Sequence, residues 1–229
     1  MTSKTVTSLS GIRNWIFDLD NTLYRGDAAF FSQIDQRMTE FVSNYLGLDR
    51  VSARKLQKDY LKQYGTTLSG MMDLHDMEPS EFLHYVHDVD LTQLEPCPKL
   101  RAAIARLAGR KFIFTNGSRA HAKNVGTYLG LFDLFDGVFA IEDTDYIPKP
   151  SYKAYAKFCD RFKINPSQSI MFEDSIKNLK SPKEMGMQTV LVTYDTDWYY
   201  EVGIDRPYAN ALWIDEQTDN LLTWLNQRT

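Results

Sequence analysis

Short apolar runs along this chain alternate with stretches that have helical periodicity. Ile12–Phe17 is the first apolar run and predicts a strand. Later runs predict further strands at 111–114, 137–140, 169–172 and 189–193, with a weak one at 211–214. The intervals between them have helical patterns, and helices between successive strands imply right-handed crossovers. We therefore predict an α/β fold with a doubly wound parallel sheet.

One long interval breaks this alternation. From Asp27 to about Asp88 apolar residues recur at three- and four-residue steps, as in the stripe Phe30, Ile34, Met38 and Phe41. This pattern predicts helices only, and two glycines bound an expected loop at Gly65–Gly70. We interpret 25–95 as a helical cap inserted into a core made of 11–24 and 96–229. Ligands of such sheets lie beyond the carboxyl ends of the strands, where the cap could cover them.

Composition excludes several classes of function. The chain has 229 residues, a net charge of −4 and no evident Lys/Arg cluster, which disfavours nucleic-acid or membrane-surface binding. No apolar run reaches the length of about 18 residues that a transmembrane helix needs. Residues 1–10 lack the apolar region of a signal peptide, and Cys97 and Cys159 lack metal or redox spacing. We expect a cytoplasmic protein with two buried thiols.

The strongest chemical signal is a pair of aspartates at the end of the first strand. Asp18 and Asp20 are two residues apart in extended chain, so their side chains point to the same side. Two carboxylates this close repel unless a cation lies between them or one of them holds a proton. Both conditions suit phosphoryl transfer, in which one aspartate attacks phosphorus and the other moves a proton.

Three further polar positions follow predicted strands or lie in a rigid turn. Thr115 and the backbone after it could donate to phosphate, and Lys149, framed by prolines, could neutralise a carboxylate and a transferring phosphoryl group. Glu173 and Asp174 follow a fourth strand. A Mg²⁺ ion could be held by Asp18, the backbone carbonyl of Asp20 and Asp174, with Glu173 as a further possible ligand.

This order of motifs resembles the haloacid dehalogenase (HAD) superfamily over nearly the whole chain. More narrowly, five stretches resemble its pyrimidine 5′-nucleotidase branch: 18–24, 64–71, 82–88, 114–117 and 172–175. The resemblance implies a nucleophilic Asp18 that forms an aspartyl-phosphate, and an Asp20 that protonates the leaving group and then activates water. For this role the pKa of Asp20 must be raised, which we expect from burial and from Asp18.

The resemblance also assigns the remaining site residues. Lys149 orients Asp18 and the phosphate, Thr115 and Asn116 hold phosphate oxygens, and Asp174 binds Mg²⁺. Substrate contacts are further expected from Asn21, Gly117, Tyr64, Thr66, Thr67, Ser69 and Met71. Many superfamily members have another acid about four residues after the metal-binding aspartate. Here that residue is Asn178, which leaves its role and that of Glu173 open.

The sequence therefore predicts a Mg²⁺-dependent phosphatase of a small phosphomonoester, most specifically UMP or CMP, acting as a monomer or homodimer. Phosphatases of a sugar phosphate, phosphoglycolate or nicotinamide mononucleotide remain alternatives, as does a phosphomutase. A dehalogenase is disfavoured because it would need neither Asp20 nor the acidic pair. His84 and His87 share a helical face but have no third ligand for zinc. The aromatic segment Asp197–Tyr200 is interpreted as a packed loop or an oligomer contact.

Overall fold

A computed structural model describes residues 9–26, 28–193 and 211–228. Most of the polar N-terminal segment and the aromatic segment Asp197–Tyr200 lie outside these ranges. Within them, six parallel strands form one sheet in the order β3-β2-β1-β4-β5-β6. The strands are β1 (Asn14–Phe17), β2 (Arg110–Phe114), β3 (Gly137–Phe139), β4 (Ser169–Glu173), β5 (Gln188–Val192) and β6 (Glu216–Thr218).

Helices fill the intervals between the strands. Those before β2 are α1 (Ala28–Leu46), α2 (Arg50–Tyr64), α3 (Thr67–His75), α4 (Pro79–Val86) and α5 (Pro98–Arg106). Those after it are α6 (Arg119–Tyr128), α7 (Tyr152–Phe162), α8 (Lys180–Glu184) and α9 (Leu221–Arg228). Short 3₁₀ turns lie at Leu91–Gln93, Phe132–Leu134, Ile141–Thr144, Pro166–Gln168 and Ile176–Leu179.

Two hydrophobic clusters cover the two faces of the sheet. On one face Phe17 of β1 stacks on Phe172 of β4, with ring centroids 4.7 Å apart, and helices α5, α6 and α9 pack over them. On the other face Ile16 packs with Phe112 and with residues of α7. Successive side chains of a strand point to opposite faces, so every residue of β1 is buried. Helices on both faces confirm the predicted α/β fold with a doubly wound parallel sheet.

Helices α1 to α4, all between β1 and α5, share a third hydrophobic cluster. Within it α2 and α3 approach so closely that a Cβ on Gly70 would lie 2.4 Å from the Tyr60 ring. Ile141 and Tyr146 of the core also contact this cluster. The assignment of 25–95 as a separate cap remains our proposal, and we use "cap" for helices α1 to α4.

The structure corrects several local predictions. Gly65–Gly70 is not a loop: Gly65 ends α2 with a left-handed φ of 84°, and Thr66 immediately caps α3 by accepting from the amide of Ser69. The predicted strand at 211–214 is replaced by β6 at 216–218. Cys159 is buried as expected, whereas Cys97 is exposed because it precedes the first turn of α5.

None of the helices in the described part of the chain is both long enough and apolar enough to cross a membrane.

Candidate active site

The candidate site lies at the carboxyl ends of the three central strands. Asp18 follows β1, Thr115 follows β2 and Asp174 follows β4. Strand β1 pairs in parallel with both β2 and β4, so these ends meet at one edge of the sheet. The amide of Asp18 donates to the carbonyl of Phe172 at 2.9 Å, which continues the β1–β4 ladder into the site.

Lys149 is the buried cation of this site, with 1% of its surface exposed. Its ammonium donates to Asp18 Oδ1 at 2.7 Å, to Glu173 Oε2 at 2.7 Å and to the carbonyl of Phe114 at 2.9 Å. These contacts use the three donors that an ammonium has. Lys149 is therefore in contact with Asp18, and it would have to release a partner to contact phosphate as well.

Asn116 binds the backbone of Lys149 through its side chain. Its side-chain oxygen accepts from the amide of Lys149 at 2.8 Å, and its Nδ2 donates to the carbonyl of Lys149 at 3.2 Å. Both ends of the side-chain amide therefore help to hold the backbone of Lys149 in place. Because Nδ2 has two donors, these bonds are compatible with the phosphate contact expected from Asn116, which stays a prediction.

The charges gathered around Lys149 shift the pKa of Asp18 and of Lys149 itself. Burial and the neighbouring Glu173 raise the pKa of Asp18 to about 8, against the opposing effect of Lys149. Burial acts to lower the pKa of Lys149, but Asp18 and Glu173 outweigh it and raise this pKa. One ammonium thus faces two carboxylates, which leaves an excess of negative charge in a buried place.

Glu173 is bound on both of its oxygens. Lys149 contacts Oε2, while Oε1 accepts from the amide of Ser175 and from Nδ2 of Asn178, each at 3.2 Å. Glu173 is therefore engaged in holding Lys149, and Asn178 in holding Glu173. The oxygen Oδ1 of Asn178 is buried and has no hydrogen-bond partner among the described residues.

These residues fit a hard divalent cation. Asp18, Glu173 and Asp174 each offer an oxygen, and these oxygens lie within 4.8 Å of one another. Carboxylate and water oxygens are the ligands that Mg²⁺ takes. The orphaned Oδ1 of Asn178 adds an acceptor beside Glu173 that a water molecule of a hydrated cation could satisfy. Both oxygens of Glu173 already accept hydrogen bonds, so a cation would have to displace one of these partners to take Glu173 as a ligand.

The Asp20 carboxylate has partners outside this acidic group. Its Oδ1 contacts the hydroxyl of Tyr24 and lies 2.9 Å from Nε2 of His121. Burial acts to raise the pKa of Asp20, but the charge and hydrogen bond of His121 and the hydroxyl of Tyr24 lower it to about 2. The expected rise of this pKa is therefore wrong.

Two other residues expected at the substrate have structural roles in their turns, which leave the expected contacts open. The hydroxyl of Thr115 accepts from the amide of Gly117 at 2.9 Å, which closes the turn after β2. Asn21 is buried and adopts a left-handed φ of 58°, a conformation that asparagine tolerates better than most residues. This conformation gives Asn21 a structural role in the turn that follows Asp20.

The expected cap residues divide into two groups. Met71 is fully buried in the cap cluster, and Thr67 is buried with its hydroxyl donating to the carbonyl of Gln57. Neither side chain is presented to a ligand. Tyr64 is partly buried, and the hydroxyls of Thr66 and Ser69 lie 2.8 Å apart at the start of α3.

The sequence prediction missed the surroundings of Asp20. The rings of His121 and His87 stack with centroids 4.4 Å apart, and His87 Nδ1 lies 3.1 Å from the hydroxyl of Ser118. His84 is exposed, and the described residues place no group of three metal-ligating side chains around either histidine. The sequence did contain one indication that His121 is near the site, because this residue lies in the first turn of α6, the helix that follows β2.

Comparison with known proteins identifies the family. The pattern of the haloacid dehalogenase-like hydrolases matches residues 12–186 of this chain. The chain belongs to this family. The predicted superfamily resemblance is thereby confirmed, while the narrower nucleotidase branch is not tested by this match.

Two relatives share part of this sequence. Phosphate metabolism protein 8 of Saccharomyces cerevisiae is 28% identical over 209 residues, which are 82% of this chain and 63% of that protein. Validoxylamine A 7′-phosphate phosphatase of Streptomyces hygroscopicus subsp. limoneus is 31% identical over 85 residues, 37% of this chain and 39% of that protein. The chain thus spans less than two thirds of the length of either relative.

A solved structure shares the fold. A HAD phosphatase from Thermococcus onnurineus superposes with a TM-score of 0.64 and 20% identity, covering 94% of this chain and 97% of that one. The HAD fold of this chain is therefore established by sequence and by structure.

The half-buried His87 of this HAD chain gives a pH prediction. Burial and then His121 lower the pKa of His87 from 6.5 to about 3, although Asp20 and the carbonyl of Leu83 act in the opposite direction. The unfolded chain binds a proton at His87 below about pH 6.5, while the folded chain stays neutral there. The neutral His87 therefore makes its full contribution to the free energy of unfolding above about pH 6.5, and this contribution is lost as the pH falls towards 3.

We expect the free energy of unfolding of the wild type, relative to His87→Gln, to fall by about 2 kcal/mol between about pH 7.5 and about pH 5. Urea unfolding at both pH values measures this difference. Imidazole NMR signals assigned with the same variant should show no titration of His87 in that range. A titration midpoint near the ordinary pKa of histidine would contradict the assignment.

Proposed function

We propose that this HAD hydrolase is a Mg²⁺-dependent phosphatase of small phosphomonoesters that acts through an aspartyl-phosphate on Asp18. The observation that carries the proposal is the Asp18 carboxylate, held at 2.7 Å by the buried Lys149 in a cluster with Asp174. A carboxylate with one oxygen fixed has few orientations, so it is ready for in-line attack on phosphorus. The names of both curated relatives refer to phosphate chemistry and support this reading.

Asp18 and Asp174, with the backbone carbonyl of Asp20, are the groups proposed to hold Mg²⁺. When bound, the ion supplies positive charge that lowers the pKa of Asp18 and screens the phosphate from the carboxylates. Glu173 then serves to hold Lys149, and Lys149 to orient Asp18. Thr115 and the nearby backbone amides of the turn after β2 are proposed to donate to the phosphate oxygens.

Asp20 is proposed to move the proton. Its low pKa makes it an ionised base, which suits the second step, in which a water molecule loses a proton and attacks the aspartyl-phosphate. In the first step it must be protonated in order to donate to the leaving oxygen. The negative charge of a bound phosphate acts in that direction, because a like charge raises the pKa of a carboxyl group.

The substrate is proposed to be a pyrimidine nucleoside monophosphate, UMP or CMP. Support comes from the five sequence stretches that resemble the nucleotidase branch, and from the junction of α2 and α3. A Cβ on Gly65 in this junction would lie 3.7 Å from the ring of Pro148, the neighbour of Lys149. This contact supports Tyr64, Thr66 and Ser69 as the proposed base-reading residues, with an aromatic ring for stacking and hydroxyls for the edge of a base.

Replacing the nucleophile tests the reaction. Asp18→Asn should reduce phosphate release by at least about 10³-fold, because an amide is a poor nucleophile, while Mg²⁺-dependent phosphate binding persists in part. Steady-state phosphate release and calorimetric titration measure the two effects. Asp35→Asn is a matched control, since Asp35 is also paired with a lysine, Lys58, but in the cap. Substantial turnover by Asp18→Asn would remove Asp18 as the nucleophile.

A substrate panel tests specificity. With Mg²⁺, UMP and CMP should give higher kcat/KM values than purine nucleotides, nicotinamide mononucleotide, phosphoglycolate or sugar phosphates. Equal values across the panel would discard the pyrimidine proposal and keep a general phosphatase. Sugar phosphates with a bisphosphate activator, followed for isomer instead of free phosphate, distinguish a phosphomutase.

A further inference from the structure

The two oxygens of the Asp20 carboxylate have different surroundings. Oδ1 contacts both the Tyr24 hydroxyl and His121 Nε2. An ionised carboxylate can only accept hydrogen bonds, so both partners are donors when Asp20 is charged, and the His121 proton is then on Nε2. Two donors on one oxygen fix the rotation of the carboxyl group and occupy that oxygen.

The second oxygen faces the turn after β2. A Cβ built on Gly117 would lie 3.6 Å from Asp20 Oδ2, 3.2 Å from Thr115 Oγ1 and 3.2 Å from the His121 ring. Oδ2 is therefore beside the turn that we propose as the phosphate site, in a space that is open because residue 117 has no side chain. The Asp20 side chain is 28% exposed, so a ligand can reach it.

Both donors are supported by aromatic side chains from the cap. The Tyr24 ring packs edge-on to Phe30 with centroids 5.8 Å apart, and stacks on Phe31 at 6.3 Å; both residues begin α1. The His121 ring is buried and stacks on His87, which follows α4. The position of Asp20 thus depends on contacts from both ends of the inserted helices.

We propose that Tyr24 and His121 are positioning residues that hold Asp20 through Oδ1, so that Oδ2 is the oxygen that exchanges the proton. This inference rests on the proposed function. In the first step the Oδ2–H bond breaks as the ester P–O bond breaks, and the proton goes to the leaving oxygen. In the second step Oδ2 takes a proton from water as the water oxygen bonds to phosphorus, which releases inorganic phosphate and the Asp18 carboxylate.

Leaving-group dependence tests the proposal. Tyr24→Phe and His121→Leu remove one donor each, while His121→Gln keeps an amide donor near the position of Nε2. We expect the first two variants to lower kcat for an alkyl phosphomonoester by about tenfold or more, since general acid–base catalysis contributes about 10²–10⁴-fold. His121→Gln should recover much of this loss.

Acid-quenched phosphoenzyme provides a readout that a general loss of structure would not produce. Formation of phosphoenzyme from p-nitrophenyl phosphate, whose leaving group needs no proton, should be nearly unchanged in Tyr24→Phe and His121→Leu. Its hydrolysis should slow, so phosphoenzyme accumulates. Tyr60→Phe and His75→Gln are matched controls, because the Tyr60 hydroxyl contacts His75 Nε2 at 2.7 Å within the cap, and both should behave as wild type.

The possible results distinguish a failure of the proposed function from a failure of the positioning role of Tyr24 and His121. If the wild type forms no phosphoenzyme from any substrate, the proposed function fails. If the wild type does form it, unchanged hydrolysis in Tyr24→Phe and His121→Leu would overturn the positioning role. Equal slowing of phosphoenzyme formation and hydrolysis would overturn it as well, because the residues would then support the whole site and not the proton transfer.

Discussion

The buried ammonium of Lys149 is the interaction on which the rest of the candidate site depends. It joins Asp18 after β1, Glu173 at the end of β4 and the carbonyl of Phe114 at the end of β2. Removing one partner of a buried ion pair lowers the free energy of unfolding by about 3–5 kcal/mol. The three strands and the segment that carries Lys149 therefore hold one another in place. Asn116 completes the arrangement by binding the backbone of Lys149 at both its amide and its carbonyl.

This arrangement also explains why the site fits a cation. Lys149 neutralises only one of two buried carboxylates, and the pKa of Asp18 rises to about 8 in consequence of burial and of Glu173. A divalent cation at Asp18 and Asp174 would offset the remaining charge and keep the proposed nucleophile ionised. The separate position of Asp20, held by Tyr24 and His121, gives the second aspartate a different electrostatic environment from the first. Two neighbouring carboxylates can thereby have two roles.

Features that depend on strand order could be predicted from the sequence, whereas contacts between distant side chains could not. Asp18 and Asp174 could be placed together because carboxyl ends of parallel strands share one edge of a sheet. The contact of His121 with Asp20 joins residues that are 101 positions apart, and no local pattern encodes it. The resemblance led us to expect Thr67 and Met71 at the substrate, and no local pattern shows that Thr66 caps a helix in which both side chains are buried within the cap.

The most direct test of the account is the chemical identity of the phosphorylated residue. Enzyme quenched in acid during turnover of a phosphomonoester with Mg²⁺ is reduced with borohydride, which converts an aspartyl-phosphate to homoserine, and its peptides are sequenced by mass spectrometry. We predict homoserine at position 18, formed only when substrate and Mg²⁺ are both present. Active enzyme that carries the modification at another residue, or shows none under conditions that trap acyl phosphates, would contradict nucleophilic attack by Asp18.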